Sequence, residues 1–261
     1  MIALVTGGSG GLGTAVCRAL ADAGAAVAIG FHTRRDVAEA LACELTARAG
    51  RAQAIGLEVA DAERMGAAIE EVVRSFGGLD VLVNAAAYNV DHMLSESDPA
   101  EVTRMHAVNV TGGMNAIRAA LPHLMASGRG RIINFSSVLA TRAMPGVSAY
   151  AGTKGAIESI TRALAAELGP KNITVNAIAP GYIDAGLGRK PVAAAGAALR
   201  SLVPLRRAGR AEEVAAVVAF LVSEAASYVN GAVLPVDGGL LAGSSMFATP
   251  TLTAMQGADT P

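Results

Sequence analysis

Tyr150 and Lys154 stand four residues apart in the segment SAYAGTKGAIESITRALAAE, which spans residues 148–167. If this segment is helical, the two side chains share one face. A Lys ammonium about 5 Å from a phenolate stabilises it by about 3 kcal/mol at an effective dielectric constant near 20, which is about two pKa units. We therefore expect Lys154 to lower the pKa of Tyr150 from about 10 toward roughly 7 or 8, where the phenol can exchange a proton near neutral pH.

A glycine-rich segment, TGGSGGLG at 6–13, precedes the first helical pattern. Glycines let a backbone approach a diphosphate closely, and the start of a helix offers free N–H donors and the positive end of its dipole. The sequence thus predicts a dinucleotide site here rather than a merely flexible turn. Two glycine spacings fit the motif, and the sequence leaves both open: Gly8, Gly10 and Gly13, or Gly7, Gly11 and Gly13.

The second apolar run ends without the acidic residue that bonds the ribose hydroxyls in many dinucleotide sites. Phe31 occupies that position and is followed by His32, Thr33, Arg34 and Arg35. Two guanidinium groups favour a ribose 2′-phosphate, so we expect NADPH as the cofactor, with NADH as the alternative. The competing interpretation is that the two arginines simply begin a solvent-exposed helix.

The pattern of the chain places these motifs in an α/β fold. Short apolar runs alternate with segments of helical period, which predicts one parallel sheet covered by helices on both faces. In such folds ligands bind outside the carboxyl ends of the strands. The predicted strands are 2–6, 25–31, 52–59, 80–85, 131–137, 173–179 and 232–237, and the predicted helices are 12–23, 36–49, 62–76, 99–126, 149–168 and 211–223.

The alternation runs through residues 1–243 without a linker or a repeat, so we expect a single dinucleotide-binding and catalytic domain of that extent. Residues 182–208 interrupt the alternation, contain a predicted short helix at 192–201, and are expected to cover the substrate as a lid. Residues 244–261 lack periodicity and are expected to form a C-terminal tail.

Composition argues against several classes of function. Apolar residues make up 52% of the chain and the net charge is −1, so nothing favours nucleic acid or an anionic membrane as a partner. The two cysteines have no partner at metal-ligand spacing, so no metal site is predicted. Neither a basic leader nor an uninterrupted apolar segment of membrane-spanning length is present, and we expect a cytoplasmic protein.

Five motifs, in this order along the chain, resemble the short-chain dehydrogenase/reductase family. They are TG(x)3GxG at 6–13, NVTG with Asn109, NFSS with Ser137, Tyr150-x-x-x-Lys154, and PG at 180–181. The resemblance covers about residues 2–242 and implies a Rossmann-like, doubly wound sheet of seven parallel strands. It also implies a catalytic tetrad in which Ser137 polarises a substrate carbonyl and Tyr150 donates the proton. Lys154 would lower the pKa of the tyrosine and hold the nicotinamide ribose, and Asn109 would position a water.

The same resemblance, together with the glycine segment, implies which positions contact the ligands. The cofactor positions are Gly7, Ser9, Gly11, Leu12, Gly13, Phe31, His32, Arg34, Arg35, Glu58, Val59, Asn84, Ala85, Ala86, Tyr150, Lys154, Pro180, Gly181 and Ile183. The substrate positions are Ser137, Leu139, Met144, Tyr150, Tyr182 and Leu187.

Within the family, residues 203–239 and the short stretch between Pro180 and Pro204 are similar to the β-ketoacyl-(acyl-carrier-protein) reductase group. This similarity implies a ketoreductase for β-ketoacyl or polyketide-type ketones, either free or carrier-bound, with acyl carrier protein as a candidate partner and a homotetrameric assembly. The alternative within the family is an NAD(P)-dependent alcohol or sugar dehydrogenase. The alternative of another class is a non-catalytic dinucleotide-binding sensor or scaffold.

Several positions depart from the family pattern. Ala85 and Ala87 replace the second Asn and the Gly of N-N-A-G, and Glu58 stands where an Asp usually bonds the adenine amino group. Ala185 replaces the Thr that typically contacts the carboxamide. Gly10 replaces a basic residue that many NADPH-dependent members carry, which weakens the prediction of NADPH.

Overall fold

A parallel sheet of seven strands forms the centre of the computed structural model, which describes residues 1–48 and 50–243. In chain order the strands are β1 Ile2–Thr6, β2 Ala26–Phe31, β3 Ala52–Gly56, β4 Val81–Asn84, β5 Arg131–Phe135, β6 Thr174–Pro180 and β7 Val233–Val236. Across the sheet they lie in the order β3-β2-β1-β4-β5-β6-β7, so the chain changes its direction of winding between β1 and β4. The predicted doubly wound α/β fold is confirmed, and a crevice for ligands is expected at that change.

Helices cover both faces of the sheet because alternate residues of each strand point to opposite sides. They are α1 Gly11–Asp22, α2 Arg35–Ala47, α3 Ala62–Phe76, α4 Pro99–His106, α5 Gly112–Ala126, α6 Ser148–Leu168, α7 Arg189–Ala195, α8 Leu199–Leu202 and α9 Ala211–Val222. In β1, for example, Ala3 and Val5 pack toward α1, α2 and α9, whereas Leu4 packs toward α3, α5 and α6. Two apolar layers therefore hold the strand ends rigidly in place.

The helix predicted over 99–126 is continuous but irregular. Its first part, α4, begins at Pro99 after Asp98, whose side chain accepts a hydrogen bond from the N–H of Ala100. A π-helical turn at Ala107–Thr111 then separates α4 from α5. Such turns frequently mark functional sites, and this one carries Asn109.

The lid segment is more broken than the sequence indicated. The single short helix predicted at 192–201 is instead α7, a 3-10 turn at Gly196–Ala198, and α8. The predicted third strand also ends early, at Gly56, which leaves Glu58 and Val59 in the loop beyond the sheet edge. The predicted tail, 244–261, lies outside the described residues, and among the helices that are described none is long and apolar enough to cross a membrane.

Candidate active site

A groove of about 1460 Å³ runs along the carboxyl edge of the sheet. Residues that directly follow β1, β2, β4, β5 and β6 all line it, namely Gly7, His32, Ala85, Ser136 and Gly181. Pockets for one small ligand usually enclose about 300–1,000 Å³. The groove therefore has room for a dinucleotide together with a substrate.

The glycine segment forms one wall of this groove and has no space for side chains. Gly7 has a φ of +66°, and a Cβ atom there would lie 2.8 Å from Cα of Ala86. A Cβ on Gly13 would collide with the carbonyl oxygen of Gly7, and one on Gly11 would collide with the backbone of Gly186. A Cβ on Gly8 or Gly10 would also lie only 2.9 Å from a neighbouring atom, but the closest approaches and the positive φ fall at Gly7, Gly11 and Gly13, the spacing that this geometry favours.

The start of α1 offers free donors to this wall. Its N-cap residue is Gly10, which has no side chain to cap the helix, and the first turn carries no acidic residue. Gly11, Leu12 and Gly13 line the groove, so the uncapped N–H groups and the positive end of the helix dipole are available to an anion. These features fit the diphosphate of a dinucleotide.

The two adjacent arginines after β2 point in different directions. Arg34 lines the groove, and its Nη2 atom lies 3.7 Å from the position of a Cβ on Gly10. Arg35 instead forms an ion pair with Glu39 at 3.2 Å and stacks on the Phe31 ring at 5.1 Å. Neither Arg35 nor the buried Phe31 lines the groove, so Arg34 is the one of the pair that faces a ligand.

Glu58 faces the same end of the groove but already has a partner. Its Oε2 atom lies 2.7 Å from Nε2 of His32, and its Oε1 atom accepts a hydrogen bond from the N–H of Ala60 at 3.2 Å. His32, Glu58 and Val59 all line the groove. The contact expected between Glu58 and adenine therefore has to coexist with the His32 contact or displace it.

The residues after β4 form the floor between the two ends of the groove. The N–H groups of Ala85 and Ala86 both donate to Oγ1 of Thr6 at 3.2 Å, which ties this loop to β1. Asn84 turns away from the groove and donates to Oδ1 of Asn134 at 3.0 Å. Asn84 thus supports the floor from below.

Ser137, Tyr150 and Lys154 line the groove together, as the sequence predicted. Nζ of Lys154, which is 2% exposed, donates to the carbonyl of Phe135 at 2.7 Å and lies 5.4 Å from the centre of the Tyr150 ring. Oγ of Ser137 accepts a hydrogen bond from the N–H of Leu139 at 3.2 Å, so its own hydrogen remains available to a substrate. The end of β5 and the first turns of α6 bring these three side chains together.

Asn109 lies beside the groove rather than on its lining. Its side chain accepts from the N–H of Tyr88 at 2.8 Å, donates to the carbonyl of Tyr88 at 2.9 Å, and donates to Oγ1 of Thr153 at 3.2 Å. The side chain thereby fixes the loop after β4 against α6. Its predicted role in positioning a water stays a prediction.

The expected lowering of the Tyr150 pKa is wrong for the protein without cofactor. Burial is the main cause that raises the pKa of Tyr150 to about 12, and the negative charge of Asp91 adds to the increase. Burial also lowers the pKa of Lys154 to about 8. The prediction rested on the attraction between the two charges alone. Burial also removes both groups from water, and this disfavours each charged form.

Most residues that the sequence assigned to ligands line this groove, including all six substrate positions. The exceptions among the cofactor positions are Phe31, Arg35 and Asn84. Sequence reasoning missed several lining residues, notably four that carry positive charge: Arg104, Arg142, Arg189 and Lys190. Arg142 could have been noticed because it stands in the loop between Ser137 and Tyr150.

Comparisons with known proteins agree with this fold. A family model described as enoyl-(acyl carrier protein) reductase matches residues 7–241. The chain belongs to the short-chain dehydrogenase/reductase family. It is an NAD(P)-dependent oxidoreductase that acts on CH–OH and C=O groups.

Individual relatives cover nearly the whole chain. The 3-oxoacyl-(acyl-carrier-protein) reductase FabG of Staphylococcus aureus is 37% identical over 91% of this chain and 97% of its own. The short-chain reductase protein NovJ of Streptomyces niveus is 41% identical over 91% of this chain and 93% of its own. The structure is similar, with a TM-score of 0.88, to a gluconate 5-dehydrogenase of Burkholderia cenocepacia in complex with NADP and tartrate; the two are 33% identical, over 93% of this chain and 96% of that one.

Proposed function

We propose that this protein is an NADPH-dependent ketoreductase that reduces a β-ketoacyl or polyketide-type ketone to an alcohol. The observation that carries the proposal is that Ser137, Tyr150 and Lys154 share one groove with the glycine wall. Groups for carbonyl chemistry and groups for a diphosphate thus face the same space. A bound nicotinamide would supply the hydride.

Three side chains of the protein would polarise the carbonyl, donate the proton and hold the nicotinamide ribose. Ser137 has a free hydroxyl hydrogen that can polarise the carbonyl oxygen. Tyr150 is protonated at neutral pH because its pKa is about 12, and this is the form that a proton donor must have. Lys154 is held against the Phe135 carbonyl, where its ammonium can hold the nicotinamide ribose and assist loss of the tyrosine proton.

Arg34 supports a preference for NADPH. Its guanidinium faces the groove beside the glycine wall, at the end where an adenosine ribose would lie. Arginine recognises phosphate through short, charge-assisted hydrogen bonds. The relative whose structure contains NADP is consistent with this proposal.

The apolar part of the groove supports the proposed substrate class. Leu139, Met144 and Leu187 form an apolar part of the groove, which suits an acyl chain, and FabG and NovJ are named as reductases. Acyl carrier protein as a partner, a homotetramer and a cytoplasmic location stay predictions. The alternative within the family is a sugar-acid or alcohol dehydrogenase, favoured by the likeness to the gluconate 5-dehydrogenase.

Oxidation of NADPH with a panel of ketones tests the proposal directly. Loss of absorbance at 340 nm with β-ketoacyl thioesters is the expected result. NAD(P)⁺ reduction by sugar acids with no ketone reduced would favour the dehydrogenase. Cofactor that binds tightly but reacts with no substrate in either direction would support the non-catalytic alternative.

A further inference from the structure

One half of the groove carries an excess of positive charge. Lysine and arginine side chains at its substrate end are Arg104, Arg142, Arg189 and Lys190. Asp91 is the one carboxylate among the described residues that lines this end, since Glu58 lies at the opposite end with His32. Within residues 1–48 and 50–243, none of the four cations has a carboxylate within 4.0 Å.

Arg142 is held close to the reacting groups. It lies in the loop that joins Ser137 to Tyr150, and its Nη1 atom donates to the carbonyl of Leu240 at 3.0 Å. Leu240 itself lines the groove, so this bond holds the guanidinium against the groove wall. A guanidinium has five N–H donors, and most of them remain free for a ligand.

Arg104 is held by an aromatic ring. Its guanidinium stacks on the Tyr88 ring with 4.4 Å to the ring centre. The backbone of Tyr88 is in turn fixed by the side chain of Asn109, which accepts from its N–H and donates to its carbonyl. Stacking keeps the planar edge of the guanidinium free, which is the edge that binds carboxylates and phosphates.

We infer that the ketone substrate carries an anionic group, a carboxylate or a phosphate, which Arg142 binds and Arg104 assists. Each guanidinium is held by a neutral partner and offers the pair of parallel N–H donors that planar anions accept. Arg189 and Lys190, on α7 of the lid, add positive charge from above the groove. The inference deepens the proposed function and rests on it for the identity of the reacting group.

The test uses pairs of ketones that differ only in charge. Each pair is an oxo acid with two to four carbons between the carbonyl and the carboxylate, and its methyl ester; a third member replaces the carboxylate with a phosphate monoester. We expect kcat/KM with NADPH to be about 10- to 100-fold higher for an anionic member than for the ester, as one charge-assisted contact allows. Whichever anion is reduced faster identifies the anionic group.

Three variants assign the effect to its residue. Arg142→Met should lower kcat/KM for the anion by about 10-fold or more, and should change kcat/KM for the ester by less than about threefold. Arg142→Lys keeps the charge and should recover part of the loss, mainly in KM. Arg74→Met removes a positive charge from the last turn of α3, away from the groove, and should leave kcat/KM for both the anion and the ester unchanged. Melting temperatures confirm that each variant is folded.

The outcomes separate this inference from the proposed function. If kcat/KM is the same for the ester and for both anions, and Arg142→Met lowers all three equally, the inference is overturned while ketone reduction stands. If no ketone is reduced, the proposed ketoreductase fails, and calorimetry with glutarate on the NADPH-saturated protein decides the anion site. Binding that weakens at least tenfold in Arg142→Met supports the site, and unchanged or absent binding refutes it.

Discussion

Tyr150 and Lys154 show how burial and charge compete within one pair of residues. Their spacing on α6 places the ammonium beside the phenol, and the structure confirms that neighbourhood. Yet each group is displaced toward its neutral form, because the attraction between them is smaller than the loss of hydration. The cofactor-free protein therefore holds a protonated tyrosine next to a lysine that is easily deprotonated.

Replacing Tyr150 by Phe should abolish reduction while NADPH still binds. The phenyl ring preserves packing on the groove wall and removes only the proton donor. General acid catalysis contributes about 10²–10⁴-fold, so a loss of that size or more in kcat is expected. Steady-state rates and cofactor titration measure the two effects separately, and a variant that keeps more than a third of the wild-type rate would disprove the assignment.

Lys154 should make the stability of the cofactor-free protein rise with pH. Its pKa is about 8 when folded and near its ordinary value of 10.5 when unfolded, so between these values the unfolded chain binds more protons. Wild type should gain about 2 kcal/mol in unfolding free energy relative to Lys154→Met from pH 7 to pH 10. Tyr150, whose pKa is raised to about 12, acts in the opposite sense only above about pH 10.

Urea denaturation at several pH values measures this difference. Comparison with Lys154→Met cancels groups that titrate equally in both proteins. A difference between the two proteins that is constant from pH 7 to pH 10 would show that Lys154 is not held with a lowered pKa.

Arg34 should carry the preference for NADPH over NADH. One charge-assisted contact is typically worth about 1.5–3 kcal/mol, and solvent access places the value at the low end, so we expect a preference near tenfold. Arg34→Ala should reduce kcat/KM for NADPH by about that factor and leave NADH nearly unchanged. Arg35→Ala is the matched control because Arg35 is engaged by Glu39 and Phe31 outside the groove. Equal use of both cofactors by wild type, or equal effects of both variants, contradicts the prediction.

At the scale of elements, the first turn of α1 is built around contacts that exclude a Cβ atom. Gly13 packs on the carbonyl of Gly7, and Gly7 adopts a positive φ against the loop after β4. The end of β1 and the start of α1 therefore meet the loop after β4, which is distant in sequence, at a few backbone atoms. Contacts among β1, α1 and the loop after β4 therefore determine the shape of the groove wall that the glycine segment forms.

Gly13→Ala should weaken dinucleotide binding by at least tenfold, because the loop must move to admit the methyl group. Gly66→Ala is the control: it adds the same methyl group to α3, where no atom lies within 4 Å of the new carbon. There we expect unchanged dinucleotide binding. The free energy of unfolding should rise by up to about 1 kcal/mol, because Ala has a higher helix propensity than Gly. The change in NADPH fluorescence on titration measures binding, and thermal melts measure stability. Equal cofactor affinities in the two variants would refute the role of Gly13.

At the scale of the whole molecule, exposed apolar side chains support the predicted tetramer. Phe220 on α9 is 45% exposed and Tyr228 is fully exposed, while Met114 and Met125 are half-exposed on α5. Met114 and Met125 fall in the helix predicted over 99–126, and Phe220 falls in the helix predicted over 211–223. Apolar patches of this kind commonly mark interaction surfaces.

Light scattering at micromolar concentration should give four times the monomer mass. Phe220→Asp should split the tetramer into dimers, because it puts a charge into an exposed apolar surface that the tetramer would bury. The same change at Cys43, which is exposed on α2, should leave the mass unchanged. A monomer mass for wild type would refute the assembly.

The sequence by itself determined the order of strands and helices and the main catalytic candidates. Periodicity reports which face of an element is buried, and the spacing of Tyr150 and Lys154 already implies one helical face. These features depend on neighbours within a few residues, so no tertiary information was needed. The strand ends then placed Gly7, Ser137 and Pro180 along a single groove, as the parallel topology requires.

Only the tertiary structure decided the properties that depend on distant neighbours. It distinguished Arg34 from Arg35, which are adjacent in sequence but face the groove and Glu39 respectively. It reversed the expected direction of the Tyr150 pKa, because burial is set by packing from several elements. It also brought Arg104 and Arg142, which are 38 residues apart in sequence, into the lining of one groove, an arrangement that no local pattern encodes.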